Sequence, residues 1–458
     1  MVRTLRIACL FTLLAAALSG CNLPPAALEP TPTIAEAPPT IGSEPTEALP
    51  PGTTSIVFWE PFALDRPQGI LLSEMVLDFQ TANPDTLVKL VAKSGYTSIH
   101  DAMLAELPNG DLPDMAVSFP SMIAQYAATG AVVPLDAYLS DPEVGMDAED
   151  LADICPACLE SGRLPGFGEQ LLAFPFAQNA IGMWVNRTLL SKAGWKHAPA
   201  TWAEFEQACF DVWAIVGVRC YPFIESVTTF DAWLYSRGGA QLNEAGQMAA
   251  FNGPAGVEGL SLLRRLIDAG LAWRPADPYG DYVAFANGQA AFTFSSTGSS
   301  SLYVDAYQGA LGNKVEPFRW DQVLIPQADP DHPATALYGT SFFIMRSDPF
   351  RERAAWRLIR WFGAKEQTAR WSSRLEALPV RASALEVMTD TLEAYPFVRA
   401  QVEEILPYAR SAPAMGWEFE LHDILYTSIV SVTQGYADPQ GALDQAARKV
   451  DALLAGGQ

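Results

Sequence analysis

Between Thr54 and Gly130 the chain alternates short β-branched or aromatic runs with amphipathic stretches, and this alternation narrows its folding options more than any other feature. Thr54-Ser55-Ile56-Val57-Phe58-Trp59 reads as a strand, closed by Glu60-Pro61. From Ile70 to Phe79 apolar residues recur on one helical face and stop near Asn83-Pro84. Leu87-Val88-Lys89-Leu90-Val91 is a second strand, and Ile99, Met103, Leu104 and Leu107 mark the next helix, ended by Asn109-Gly110. Asp114-Met115-Ala116-Val117 is a third strand, before a helix from Met122 to Thr129 closed by Gly130. Strand then helix, three times over, predicts an α/β body with a parallel sheet covered on both faces.

The pattern resumes with a strand at Ala180–Asn186 and helices starting at Thr201 and Pro254. Trp356, Ile359 and Phe362 share one face of a helix from Asp348 to Phe362, and Leu443, Ala446, Val450 and Leu453 one face of a last helix from Asp438 to Leu454. Thr201 followed by Glu204 is a capping box, which supports a helix and by itself no function. About 400 residues exceed what one core usually serves, so two lobes are expected. With a net charge of −23 and 49% hydrophobic residues the body is globular and acidic. That argues against nucleic acid, whose phosphates need Lys and Arg, and leaves an uncharged ligand open.

The N-terminus reads differently. Arg3 and Arg6 precede an apolar run from Ile7 to Leu18, which ends in Leu18-Ser19-Gly20-Cys21. A basic flank, a short apolar core and small residues at the cut make residues 1–20 a secretory signal. The cysteine after them is similar to a bacterial lipobox, in which Cys21 is diacylated and becomes the mature N-terminus; the plainer alternative is an ordinary signal with an incidental cysteine. Residues 21–53 are Pro, Ala, Thr and Glu with little else, an extended tether that buries too little apolar surface to order itself. No later apolar run is long enough to span a bilayer, so the expected anchor is the lipid.

Cys155, Cys158, Cys209 and Cys220 remain in the body. An even number in an oxidising compartment favours disulfides. Cys209 with Cys220 closes a short loop. Cys155-Pro156-Ala157-Cys158 has a spacing also used in redox and metal chemistry, yet it lacks a thioredoxin-like context or a second ligand pair, so a local bridge is favoured. His100, His197, His332 and His422 form no ligand spacing, and no HExxH, GxSxG or Walker pattern occurs. Neither a metal nor a cofactor is expected.

Several blocks, in order along the body, carry a resemblance. They are Val57-Phe58-Trp59 with Phe79 to Pro84, Gly110-Asp111-Leu112-Pro113-Asp114-Met115, and Gly130 to Asp136. Ala173-Phe174-Pro175-Phe176, Trp184-Val185-Asn186-Arg187, Ala193-Gly194-Trp195 and Pro199 to Phe205 follow. The last are Phe285-Ala286-Asn287-Gly288-Gln289-Ala290-Ala291-Phe292, Trp356 to Phe362, Trp371, and Ala377-Leu378-Pro379-Val380-Arg381. From Ile56 to Leu454 the chain resembles the maltose-type extracellular solute-binding proteins, the group that includes maltose- and glycerol-3-phosphate-binding proteins. The resemblance implies a two-lobed, type II periplasmic-binding-protein-like α/β fold with the ligand cleft between lobes. It places 54–177 and 321–364 in an N-terminal lobe, and 178–320 and 365–456 in a C-terminal lobe. It further implies an extracytoplasmic, lipid-anchored monomer of an ABC importer that binds a small carbohydrate reversibly and delivers it to the permease subunits.

A sugar presents apolar C–H faces and a rim of hydroxyls, so its site needs flat aromatics and defined donors and acceptors. Strand ends are where an α/β body puts them. The expected contacts are Trp59 and Glu60 after the first strand, Ser118 and Phe119 after the third, and Gln178 and Asn179 on the crossing strand. The resemblance adds Ser296, Thr297 and Gly298, for which a helix N-cap is the competing reading, then Tyr338 and Gly339, whose glycine lets backbone approach ligand, and Trp417 and Glu418. Trp233 reads as helix core. Glycerol-phosphate-binding members carry a phosphate-clamping arginine near Ala414 to Glu418, and none stands there, although Arg410 is close. A neutral mono- or oligosaccharide is therefore favoured over a phosphorylated polyol. The rival class is a surface glycosidase or other hydrolase, whose carboxylate pair no motif excludes.

Overall fold

A computed structural model describes residues 52–168, 170–374 and 377–456. The signal, Cys21 and the tether up to residue 51 lie outside the described residues. Among those described, no helix is long and apolar enough to cross a membrane.

Strands β1 (Thr54–Glu60), β2 (Thr86–Ala92) and β3 (Met115–Ser118) pair in parallel, with β1 in the middle. The long β4 (Phe174–Asn186), the short pair β5 (Tyr221–Pro222) and β6 (Ala272–Trp273), then β7 (Phe292–Ser296), β8 (Trp320–Val323), β9 (Thr335–Ile344) and β10 (Ala409–Ser411) complete the set. The main sheet runs β2-β1-β3-β9-β4-β7, with β10 beside β9 and β8 beside β4. Parallel pairing is thus limited to β1–β3, to β10 beside β9 and to the short pair β5–β6. β9 is antiparallel to both β3 and β4, and β7 and β8 are antiparallel to β4. The reason is connectivity: β4 leaves the first lobe, β9 returns beside it, and neighbouring out-and-back strands must oppose.

Side-chain alternation explains why both faces are covered. Ile56 and Phe58 of β1, Met115 and Val117 of β3 and Phe342 and Ile344 of β9 enter one core with Met75, Phe79, Trp356 and Phe362. Trp59, Ala116 and Phe343, one residue out of step, enter another with Ile99, Met103, Ile123 and Tyr126. The second lobe repeats the device. Ile181, Met183 and Val185 of β4 pack with Phe205, Trp233, Phe292, Phe294 and Leu425. Trp184 turns the other way, onto Tyr303 and Phe397. Trp233 is a core residue, as its helical position predicts. Trp371 joins the first core, and β8 pairs with the distal half of β4, Met183–Asn186.

The capping box is formed: Glu204 N donates to Thr201 Oγ1 at 3.2 Å, and Thr201 N donates back to Glu204 Oε2 at 3.3 Å. In the block Phe285 to Phe292, Phe285 and Ala286 end a helix (Gly280–Ala286), and the next strand begins at Phe292. Both disulfides are present, Cys155–Cys158 and Cys209–Cys220. The second ties the helix Trp202–Val216 to the start of β5. Arg381, only 4% exposed, donates to the Gly363 carbonyl, to Asp150 O and Oδ1 at 3.0 Å each and to Asp153 Oδ2 at 3.2 Å. The arginine of the Ala-Leu-Pro-Val-Arg block is therefore a structural clamp.

Candidate ligand-binding cleft

Where β4 and β9 cross between the lobes, their backbones approach unusually closely. A Cβ at Gly339 would stand 2.2 Å from the Ala177 carbonyl oxygen and 2.7 Å from Gln178 Oε1. The glycine expected to admit a ligand is thus required first by the neighbouring strand. Gln178, Tyr338 and Gly339 line a cavity of about 270 Å³ above this crossing, near the lower end of small-molecule sites at roughly 300–1,000 Å³.

The first lobe contributes Phe119, Pro120 and Ser121, at the start of the helix Pro120–Ala127 that follows β3. The second lobe contributes the helix Val227–Tyr235. Its sequence is largely apolar, its N-cap is Ser226, and Thr228, Asp231 and Tyr235 fall three and four residues apart, on one face turned to the cavity. The third wall is Ser411 to Ala414 with the first turn of the helix Glu418–Thr433, where Glu418, Phe419 and His422 face inward. This wall touches the opposite lobe: Gln125 Nε2 donates to the Gly416 carbonyl at 2.7 Å, and the rings of His100 and Phe419 lie 6.3 Å apart. A second cavity of about 580 Å³ adjoins the first through Tyr235 and Ser411, lined otherwise by Pro165, Gly166, the 239–246 loop, Arg410, Pro413 and Met415.

The cavity is acidic. Asp231 is 3% exposed, and both its carboxylate oxygens accept from Gln241 Nε2 at 2.9 Å. Burial pushes its pKa up to about 7, against the pull of Gln241, and the charge of Glu418 adds to the rise. Burial also raises Glu418, opposed by a hydrogen bond from Ser121. His422 Nε2 stands 3.7 Å from Glu418 Oε1, but burial lowers its pKa, which favours the neutral ring. The hydroxyl of Tyr235 is buried without a partner among the described residues.

Of the expected contacts, Phe119, Gln178, Tyr338, Gly339 and Glu418 come together in this cavity. The others do not line it. Trp59 is 7% exposed in the first-lobe core, with Lys93 Nζ 3.7 Å from its ring centroid, so its indole is packing rather than a plate for a guest. Glu60 is fully buried. Its Oε2 accepts from Phe62 N at 2.6 Å, its Oε1 has no partner among the described residues, and burial lifts its pKa to about 7. Ser118 donates to Met122 Sδ at 3.0 Å inside the core. Asn179 Oδ1 accepts from Thr297 Oγ1 at 3.1 Å, and Thr297 Oγ1 accepts from Ala180 N at 3.1 Å, so this turn stitches β4 to β7. Ser296 Oγ accepts from Gly298 N at 2.9 Å and caps the 3₁₀ turn Thr297–Ser299, as its competing reading anticipates. Trp417 is the residue before the helix Glu418–Thr433 and packs on the second-lobe core.

Reading strand ends misses Thr228, Asp231 and Tyr235, which sit on a helix. Their signal is an aspartate inside Val-Thr-Thr-Phe-Asp-Ala-Trp-Leu-Tyr, in step with two other polar groups. Among the described residues no group of three His, Cys, Asp or Glu side chains is placed to hold a metal.

The family model described as bacterial extracellular solute-binding protein matches residues 74–400. The chain belongs to that family. A Brucella abortus (strain 2308) binding protein is 25% identical over 396 residues, 84% of this chain and 90% of that one. Among solved structures, the sugar-binding protein MalE of Xanthomonas citri superimposes with a TM-score of 0.74 at 20% identity, covering 88% of this chain and 98% of that one. UgpB of Mycobacterium tuberculosis, solved with glycerophosphocholine, gives 0.69 at 22%, covering 89% and 100%. These likenesses fix the fold as the two-lobed one of MalE. Membership of the extracellular solute-binding family places the protein outside the cytoplasm, and its relatives are binding proteins.

Proposed function

We propose that the protein is the receptor of an ABC importer that binds a hydroxylated, sugar-type solute of mono- to oligosaccharide size and hands it to the permease subunits. The observation that carries this is the cavity over the β4–β9 crossing, walled by both lobes and edged by aromatic and hydrogen-bonding groups. Phe119 and Phe419 offer faces to sugar C–H groups, and Gln178, Asp231, Tyr235 and Glu418 offer polar atoms to hydroxyls. The cavity's lining contains Asp231 and Glu418 and neither Lys nor Arg, which disfavours a phosphorylated polyol there. That other solute-binding proteins of this fold carry sugars supports the same reading.

Closure is a rotation of the lobes about the crossing strands. The core packing of Trp371 and the pairing of β8 favour lobe divisions within β4 and β9, with β8 in the second lobe and residues 365–372 in the first, rather than divisions at 320/321 and 364/365. Residues 1–20 direct export, Cys21 carries the lipid, the tether spaces a monomeric body from the membrane, and a hydrolase role is not needed. The body without residues 1–53 is to be titrated calorimetrically against a carbohydrate panel, with small-angle scattering before and after. Saturable heat with contraction is expected. No heat across the panel, or turnover of a glycoside, rejects the reading.

A further inference from the structure

We propose that the solute held between the lobes carries a protonated amine on its hydroxylated frame, an inference that rests on the binding-protein reading above. Three oxygen-bearing side chains line the same cavity: the carboxylates of Asp231 and Glu418 and the phenol of Tyr235. Tyr235 is 5% exposed and lines both cavities, and its hydroxyl oxygen is buried with no partner among the described residues. A buried hydroxyl without a partner is costly unless something supplies one.

An ammonium group has three donors and no acceptor. It would answer three acceptors at once and supply the one charge that the lining lacks. The protein does not supply it: no lysine or arginine lines this cavity, and Arg410 belongs to the adjoining one with an exposed side chain. His422 is held toward its neutral form by burial. The two carboxylates meanwhile oppose one another's ionisation, since the charge of Glu418 adds to what burial does to Asp231. An uncharged sugar leaves that repulsion in place, whereas a cation removes it and lets both groups ionise. The rings of Phe119, Tyr338 and Phe419 add faces that suit both C–H groups and a nearby positive charge.

The test is a set of matched sugars titrated into the body at pH 7 and low salt. Glucose, galactose and mannose are compared with their 2-amino and 2-acetamido counterparts, and cellobiose with the glucosamine and N-acetylglucosamine disaccharides of the same linkage. At least one amine is expected to bind about tenfold more tightly than both uncharged partners. In Asp231→Asn or Glu418→Gln that advantage should shrink to about threefold or less. Because either variant could fold poorly, a second measurement uses the unaltered protein: heats in phosphate and in Tris should differ for the amine, reporting proton release as Asp231 ionises, and agree for the acetamide. Binding of some sugar with no amine outbinding its uncharged partners overturns this inference and leaves the sugar-receptor reading standing. Silence from every member overturns both.

Discussion

Replacing Gly339 by alanine probes the strand crossing on which both lobes depend. The added carbon would lie 2.2 Å from the Ala177 carbonyl oxygen and 2.7 Å from Gln178 Oε1. The first contact is backbone, which no rotamer change relieves. Bringing it to 3.0 Å requires β4 and β9 to part by about 0.8 Å at this register, a change of the kind that costs roughly 1–3 kcal/mol as overpacking. Hydrogen bonds of normal length, stretched by that amount, pass beyond useful geometry, and losing one adds about 1 kcal/mol. The expected destabilisation is therefore about 2–4 kcal/mol, large for a single methyl. Gly309 is the control. It lies in the helix Ser300–Gly312 with nothing within 4 Å of a built Cβ, so Gly309→Ala should stabilise by about 0.5–1 kcal/mol. Urea unfolding of the body followed by circular dichroism compares the two midpoints at fixed slope. A Gly339→Ala protein within about 0.5 kcal/mol of the parent would refute the account of the crossing.

Three further outcomes are expected. Glu60 has a folded pKa near 7, above its ordinary value, so its contribution to stability is full below the unfolded pKa of about 4.5 and is lost as pH rises through 7. Glu60→Gln should thus be nearly neutral at pH 4.5 and stabilising by about 1–3 kcal/mol at pH 8, and equal effects at both pH values in thermal melts would contradict this. Arg381→Met strands Asp153 and Asp150 beside a buried gap and should cost about 3 kcal/mol while leaving solute affinity within a factor of about two; a selective loss of affinity would instead put Arg381 in the binding site. Alkylation of the denatured, unreduced body should find no free thiol among the four cysteines, four would refute both bridges, and opening the 11-residue separation of Cys209 and Cys220 by double substitution should cost about 3 kcal/mol in denaturant titrations.

Much of the fold was legible because its signals are local. The β-branched runs at Ile56–Trp59 and Leu87–Val91, the capping box at Thr201 and the spacing of Trp356, Ile359 and Phe362 each specify an element without reference to distant chain. The crossing was not legible in the same way. That β9 opposes β4 depends on pairing Phe174–Ala180 with Leu337–Phe342, contacts more than 150 residues apart with no local signature. At the site, strand ends led to Phe119, Gln178 and Tyr338, which line the cavity. Trp59 and Glu60 lie away from the cavity because the end of β1 is buried on both faces, so alternation there cannot separate a cleft-facing side chain from a core one. Ser296 and Thr297 lie outside the cavity for another reason: a hydroxyl suited to a sugar is equally suited to a backbone amide, and here each accepts from one. The helical trio of Thr228, Asp231 and Tyr235 lay outside any reading restricted to strand termini.

The contact between His100 and Phe419 has a practical side. The imidazole sits on one jaw, hydrogen-bonded through Nδ1 to Tyr126 at 2.7 Å, while the phenyl ring rides on the other. Any swing that widens the mouth carries the aromatic ring current away from the imidazole protons. Their magnetic resonance shifts would therefore serve as a built-in gauge of gape, readable without labels and with or without cargo aboard.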